Sequence, residues 1–346
     1  MSRMLEEIRQ QPDALERTLT TELRRVEQFR ELIARRKPRF IVLAARGTSD
    51  NAAQFGRYLL EITTGIPVSL CAPSVHTLYG AKMDYRDSVL VALSQSGEST
   101  DINAVVEAAR KQGAITLGMT NETKSALARA AEHVWFVRAG KEKSVAATKT
   151  YSSQMMLMYL LAYALGARLK IDDLKKIPEA AASALRMEPE IAALSERYRF
   201  MEYSVVVGRG LNYANAFEFA LKMMETCYVV AERFSSADFA HGPIALIERN
   251  FPVFVFAPSG VTWPSVQELT LRMKELHAET IVLTDRKNVE AAGAGTRLIC
   301  LPDRLPELYT PIPYIIPAQL FAASLAAQKG LDPDSPRTIS KVTRTM

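Results

Sequence analysis

The chain has 346 residues, 48% hydrophobic and 23% charged, long enough for two domains of ordinary size and close to an average globular composition. Its net charge is +5, but the lysines and arginines are spread out and interleaved with acids, which predicts a solvated surface and no nucleic-acid face. A basic pocket for an anionic small molecule remains compatible with that charge.

The first residues, MSRMLEEIRQQPDALERTL, are too charged for a signal peptide. Residues 1–36 read as an extra helical segment, with Glu6, Ile8, Leu15, Leu19, Leu23 and Val26 giving a mixed amphipathic face. Next comes FIVLAARGTSDNAAQFGRYLLE, an apolar strand, an Arg-Gly turn and a helix. SVLVALSQSGESTDINAVVEAARKQGAITLGMTN then reads strand, Ser-Gly turn, helix, strand. The most apolar stretch, Met155 to Leu165, is about half the length a bilayer span needs and is expected as a buried helix. A charged helical segment around Ala167–Arg199 looks like a join. Beyond it the pattern recurs: YSVVVGRGLNYANAFEFALKMME matches the first block, and PVFVFAPSGVTWPSVQELTLRMKELHAETIVLTD matches the second. Gly47 aligns with Gly210, and Ser96-Gly97 with Ser259-Gly260, at one offset. So long a period indicates two copies of a domain. Continuous apolar strands alternating with amphipathic helices predict an α/β fold in each copy, a doubly wound, mainly parallel sheet with helices on both faces.

The three cysteines, Cys71, Cys227 and Cys300, are far apart and without CxxC spacing, which predicts reduced thiols in a cytoplasmic protein. The histidines at 76, 133, 241 and 277 lack ligand-like spacing, so no metal site is expected.

The hydroxyls of SQSGES stand where a strand hands over to a helix. In an open parallel sheet, ligands bind beyond the carboxyl ends of the strands. A helix N-terminus there offers free N–H groups that suit a phosphate. Ser94, Ser96 and Ser99 add donors, Gly97 lets the backbone come close, and Gly47-Thr48-Ser49 supplies a second such turn. No GxxxxGK[ST] or GxGxxG is present, so the loop suits a monophosphate. The alternative is that Ser99 or Thr100 caps the helix and the other serines fill a turn. The second copy has APSGVTW here, with fewer hydroxyls, so the phosphate is assigned to the first copy.

RGTS followed by SQSGES resembles the sugar isomerase (SIS) domain, which binds phosphosugars. The resemblance covers almost the whole chain and extends to the double-SIS isomerase half of glucosamine-6-phosphate synthases and related stand-alone deaminases. It implies two tandem SIS domains, each a three-layer α/β/α sandwich, at 37–168 and 196–335, with a helical linker at 169–195 and an active-site tail at 336–346. It implies phosphate ligands at Ser49, Ser94, Gln95, Ser96 and Ser99, where synthases usually carry threonine at the last. Gly47, Thr48 and Val145, the last in KEKSVAATKT, would face the sugar. Read alone, that segment is a helix start with Ser144 as cap. In ALKMMETC, Glu225 falls at the proton-transferring carboxylate and Lys222 one turn before it. His241, in HGP, falls at the ring-opening histidine, which in the family reaches in from the neighbouring subunit. Lys341, in SPRTISKVTRTM, falls at the tail lysine that meets substrate. The family's glutaminase domain is not seen before the first SIS domain, and KVTRTM replaces a synthase-like ending. The expectation is a homodimeric deaminase that needs no cofactor, membrane or nucleic acid and converts glucosamine 6-phosphate and water to fructose 6-phosphate and ammonia. The alternatives are a deaminase, isomerase or deglycase for another phosphosugar (galactosamine or fructosamine 6-phosphate), or a non-catalytic phosphosugar sensor.

Overall fold

FIVLA and SVLVAL are apolar on both faces because both faces are covered. In the computed structural model, which describes residues 2–302 and 304–341, they form neighbouring strands of a parallel sheet. The chain makes two compact units. Of the described residues, the N-terminal unit comprises 10–142, 147–176 and 339–341, and the C-terminal unit comprises 2–9, 143–146 and those within 177–338.

The sheet of the N-terminal unit contains β1 (Phe40–Ala44), β2 (Val68–Leu70), β3 (Ser88–Leu93), β4 (Ile115–Thr120) and β5 (His133–Phe136) in the order β2-β1-β3-β4-β5, parallel throughout. All residues of β3 and β4 are buried, as a strand covered on both faces requires. The helix Thr100–Lys111 lays Ile102, Val105 and Val106 against Leu90 and Ala92 on one face. The helix Lys149–Ala164 is buried almost all round, and Met155 to Ala162 are fully enclosed, as the apolar run predicts. It packs close to the helix Thr48–Thr64: a Cβ at Gly56 would press into the Met158 side chain.

The C-terminal unit contains β6 (Tyr203–Gly208), β7 (Val230–Ser235), β8 (Pro252–Phe256), β9 (Glu279–Asp285) and β10 (Arg297–Leu301) in the order β10-β9-β8-β6-β7. Read from the other edge, that is the first sheet's order with every index raised by five, and its pairs too are parallel. The predicted duplication is therefore a duplication of topology. Gly47 and Gly210 even share a backbone angle, φ +56° and +57°, in the left-handed region that suits glycine.

The N-terminal segment departs from expectation. It forms two helices, Arg3–Arg9 and Gln11–Arg36, divided at Gln10 just before Pro12. Glu6 is exposed and Leu23 only half-buried, whereas Glu7 and Glu22 are buried. Each buried acid has donors that a helical wheel does not show. Glu7 accepts from the backbone N–H groups of Lys143 and Ser144, and Glu22 from the Arg25 and Arg138 guanidinium groups. Between the units' main segments, the charged stretch forms the helices Ile171–Leu174, Lys176–Leu185 and Glu188–Glu196. No helix among the described residues is long and apolar enough to cross a membrane.

Candidate active site

The strand order reverses direction between β1 and β3, and a crevice opens beyond their carboxyl ends at such a switch point. The Arg46–Ser49 turn follows β1 and the Ser94–Ser99 turn follows β3, so the topology brings both hydroxyl-bearing turns to it.

The second turn is internally ordered. The buried Ser94 hydroxyl accepts from the Gly97 N–H at 3.0 Å, and the Ser96 hydroxyl from the Glu98 N–H at 3.3 Å. The Asn121 N–H donates to the Gln95 carbonyl at 3.1 Å. Gly97 has φ +65°, and any Cβ there would overlap the Ser125 hydroxyl. Ser99 occupies the N-cap position of the Thr100–Lys111 helix, but its side chain makes no capping bond. Its Oγ instead stands 3.4 Å from Ser94 Oγ, a loose contact. The capping alternative for Ser99 therefore does not describe this turn. In the first turn, Gln154 donates to the buried Ser49 Oγ at 2.9 Å. Gly47 and Thr48 open the Thr48–Thr64 helix, with Gly47 exposed and Thr48 half-buried.

Two groups here escaped the sequence reading. Arg46 Nε donates to Asp101 Oδ2 at 2.8 Å, with the carboxylate buried and the arginine half exposed. A cation is thus fixed between the two turns. Gln154 lies just before the apolar run Met155–Leu165, on the same helix, a run that draws no attention to it.

In the C-terminal unit, the helix Tyr213–Cys227 carries the candidate proton-transfer group. Lys222 is fully buried, with its ammonium 2.5 Å from Glu225 Oε2 and 3.4 Å from Glu218 Oε1. Glu218 is also fully enclosed, while the Glu225 side chain keeps 23% exposure. The spacing i, i+4, i+7 stacks the three on one helical face, and Glu225 is the member that solvent reaches. Glu218 escaped the sequence reading, because an acid four residues from a lysine usually marks a surface pair. His241 is exposed, in the C-cap position of the helix Ser236–Ala240. Val145 is half-buried in the 143–146 stretch of this unit. The helix after it begins at Lys149 with Thr148 in the cap position, so Ser144 is no cap.

Lys341 belongs to the N-terminal unit, where its ammonium meets Glu142 at 2.8 Å. The tail residues 342–346 lie outside the described residues. Among the described residues, no group of three or more His, Cys, Asp or Glu is placed to hold a metal.

The profile of the SIS domain matches residues 35–164 and 204–329. The chain is 35% identical over 345 residues to the isomerizing glutamine–fructose-6-phosphate aminotransferase of Pyrococcus horikoshii, covering 98% of this chain and 57% of that protein. It thus spans little more than half the length of that relative. Among solved structures, a Silicibacter pomeroyi protein provisionally described as a phosphosugar isomerase is 32% identical with a TM-score of 0.85, covering 96% of this chain and 100% of that one. The C-terminal domain of the Francisella tularensis glucosamine-fructose-6-phosphate aminotransferase is 27% identical with a TM-score of 0.87, covering 97% and 98%.

Proposed function

The chain belongs to the SIS domain family, and from that membership and the side chains above we propose that it interconverts the aldose and ketose forms of an amino-sugar phosphate. The reaction proposed is glucosamine 6-phosphate and water to fructose 6-phosphate and ammonia. The observation that carries the reading is the Glu218–Lys222–Glu225 stack. A buried ammonium holds the Glu225 carboxylate in one orientation and keeps a positive charge beside it, while Glu225 alone remains accessible. That arrangement suits a base that must remove a proton from carbon and hand it back.

In this reading the hydroxyls of Ser94, Ser96 and Ser99, with Ser49 and Gln95, hold the phosphate. Arg46 adds positive charge beside them. His241 passes a proton between the ring oxygen and the anomeric hydroxyl and opens the hemiacetal. Glu225 then removes the C2 proton. The C–H electron pair becomes the C1–C2 double bond, and the C1 carbonyl oxygen gains a proton, giving an enolamine. Glu225 returns its proton to C1, and the nitrogen lone pair closes to a C2 imine. Water adds to C2, the amine leaves as ammonia, and fructose 6-phosphate remains. Lys222 favours the negative charge that develops on oxygen during enolisation, and Lys341 meets the open-chain sugar. His241 is exposed in its own chain and is proposed to serve the neighbouring subunit of a homodimer. The same relatives support the substrate choice, since their names specify fructose 6-phosphate.

The test is ammonia release from a panel of amino-sugar 6-phosphates. Release from glucosamine 6-phosphate above the galactosamine and fructosamine analogues is expected. Tight binding with no release from any of them would sink the deaminase reading.

A further inference from the structure

The stretch between β5 and the Lys149–Ala164 helix puts a carboxylate where it is hardest to keep charged. The Glu142 side chain is fully buried. Removing a carboxylate from water is heavily penalised unless hydrogen bonds and an opposite charge replace the solvent. Both are supplied. The Thr148 and Thr150 backbone N–H groups donate to Oε1 at 2.9 and 3.2 Å, and the Thr150 hydroxyl to Oε2 at 2.7 Å. These amides open the helix, whose first N–H groups have no partner within it. Thr148, in the cap position, offers no side-chain bond. Glu142 therefore caps the helix from outside, at the positive end of its dipole. The opposite charge comes from 199 residues away: the Lys341 ammonium, 2.8 Å from Oε2.

We propose that Glu142 is a positioning residue for the C-terminal lysine: anchored on a helix N-terminus, it fixes the Lys341 ammonium in the orientation in which that lysine meets the open-chain sugar. The proposal rests on the substrate-facing reading of Lys341 given above. Several features argue for positioning over mere burial of a pair. The carboxylate is immobilised by three donors that do not involve the lysine, so it stays in place whether the tail is docked or not. The lysine side chain keeps 24% exposure, so it is reachable while tethered. Burial alone would push the Glu142 carboxyl up, but the Lys341 ammonium and the threonine donors outweigh it and hold the carboxyl below its ordinary range. The tether is thus an ionised one.

Glu142→Gln keeps the volume and an acceptor oxygen for the two amides, but removes the charge that holds Lys341. In the full chain it should retain wild-type circular dichroism and lower kcat for ammonia release by about tenfold or more, since small misplacements of a reacting group cost that much. Lys341→Met should also be slow, and the double variant no slower than Lys341→Met alone, because the two act through one another. Glu142→Asp should recover part of the loss. Wild-type kcat in Glu142→Gln with a slow Lys341→Met would overturn the positioning role and leave the reading of Lys341 standing. Wild-type kcat in Lys341→Met would overturn both. An independent readout needs no substrate: trace acetylation by acetic anhydride should modify Lys341 severalfold faster in Glu142→Gln than in wild type, with the other lysines unchanged. Equal rates would overturn the tether.

Discussion

The two strand-end turns that the duplication places in register spend their hydrogen-bond donors differently. After β3, the Ser94 and Ser99 hydroxyls face each other loosely at 3.4 Å, and the Ser99 side chain makes no capping bond to its helix. After β8, the Ser259 N–H and hydroxyl donate to Asp285, and the Thr262 N–H and hydroxyl donate to Glu307. In the second copy the donors go to carboxylates elsewhere in the chain; in the first, the Gly97 and Glu98 N–H groups go to serine hydroxyls within the turn itself. An internal carboxylate at a helix start has much the same demands as a bound anion. On the proposed reading, the same backbone turn serves as a ligand site in one copy and as a structural joint in the other, where the protein supplies the negative charge itself.

This contrast can be broken at several points. The largest effect should separate anchoring from chemistry. Glu225→Gln is expected to lower kcat by about 10²–10⁴-fold while the affinity for the sugar phosphate, measured by calorimetry, stays near wild type. Next, alanine at the paired glycines should have unlike consequences. Gly97→Ala forces a left-handed residue into the Ser125 hydroxyl, and Gly260→Ala meets the Glu307 carboxylate. Each should cost about 1–3 kcal/mol of stability, but only Gly97→Ala should also weaken sugar-phosphate binding, which paired melting and binding measurements will show. A smaller loss is expected from the hydroxyls alone. The Ser96→Ala, Ser99→Ala double variant should raise KM about tenfold or more, because hydrogen bonds to a charged group are worth about 1.5–3 kcal/mol each, with melting unchanged. The smallest effect concerns a buried acid of the first unit, Glu142. The Glu142 carboxyl is depressed on folding, so its stabilisation is present above the ordinary value of 4.5 and is lost as pH falls through the depressed one. The acid limb of the melting profile should therefore be shallower in Glu142→Gln than in wild type.

Much of this was legible in the sequence. Apolar runs gave the parallel strands, the repeat gave two copies of one topology, and the Met155–Leu165 run gave a core helix. The hydroxyl-rich turn was legible too, because strand ends and helix starts are local features. What escaped was charge inside the protein. Nothing in the sequence sets Glu7, Glu22, Glu142 and Glu218 apart from surface acids, yet all four are buried. Each is kept by donors that no helical period reveals: amides at 143 and 144, an arginine at 138, a lysine at 341, and a lysine one turn away that is itself enclosed. On the mixed face that included Glu6, the buried acid is its neighbour Glu7, which has the partners. Ser144 as a cap failed because Glu142 already performs that task from a different direction.

The ends of the chain are exchanged between its halves. Residues 2–9 belong with the C-terminal unit, where Asp334 accepts from the Arg3 and Met4 N–H groups at 2.7 and 2.8 Å, and residues 339–341 belong with the N-terminal one. During synthesis, the first half therefore emerges without the cation for its buried Glu142, since Lys341 lies 199 residues further on. Closing so long a loop is slow compared with forming local contacts. A ribosome-bound fragment ending near residue 176 should hold Glu142 uncompensated until Lys341 has been made, so synthesis of the C-terminal unit is itself a step in assembling the N-terminal one.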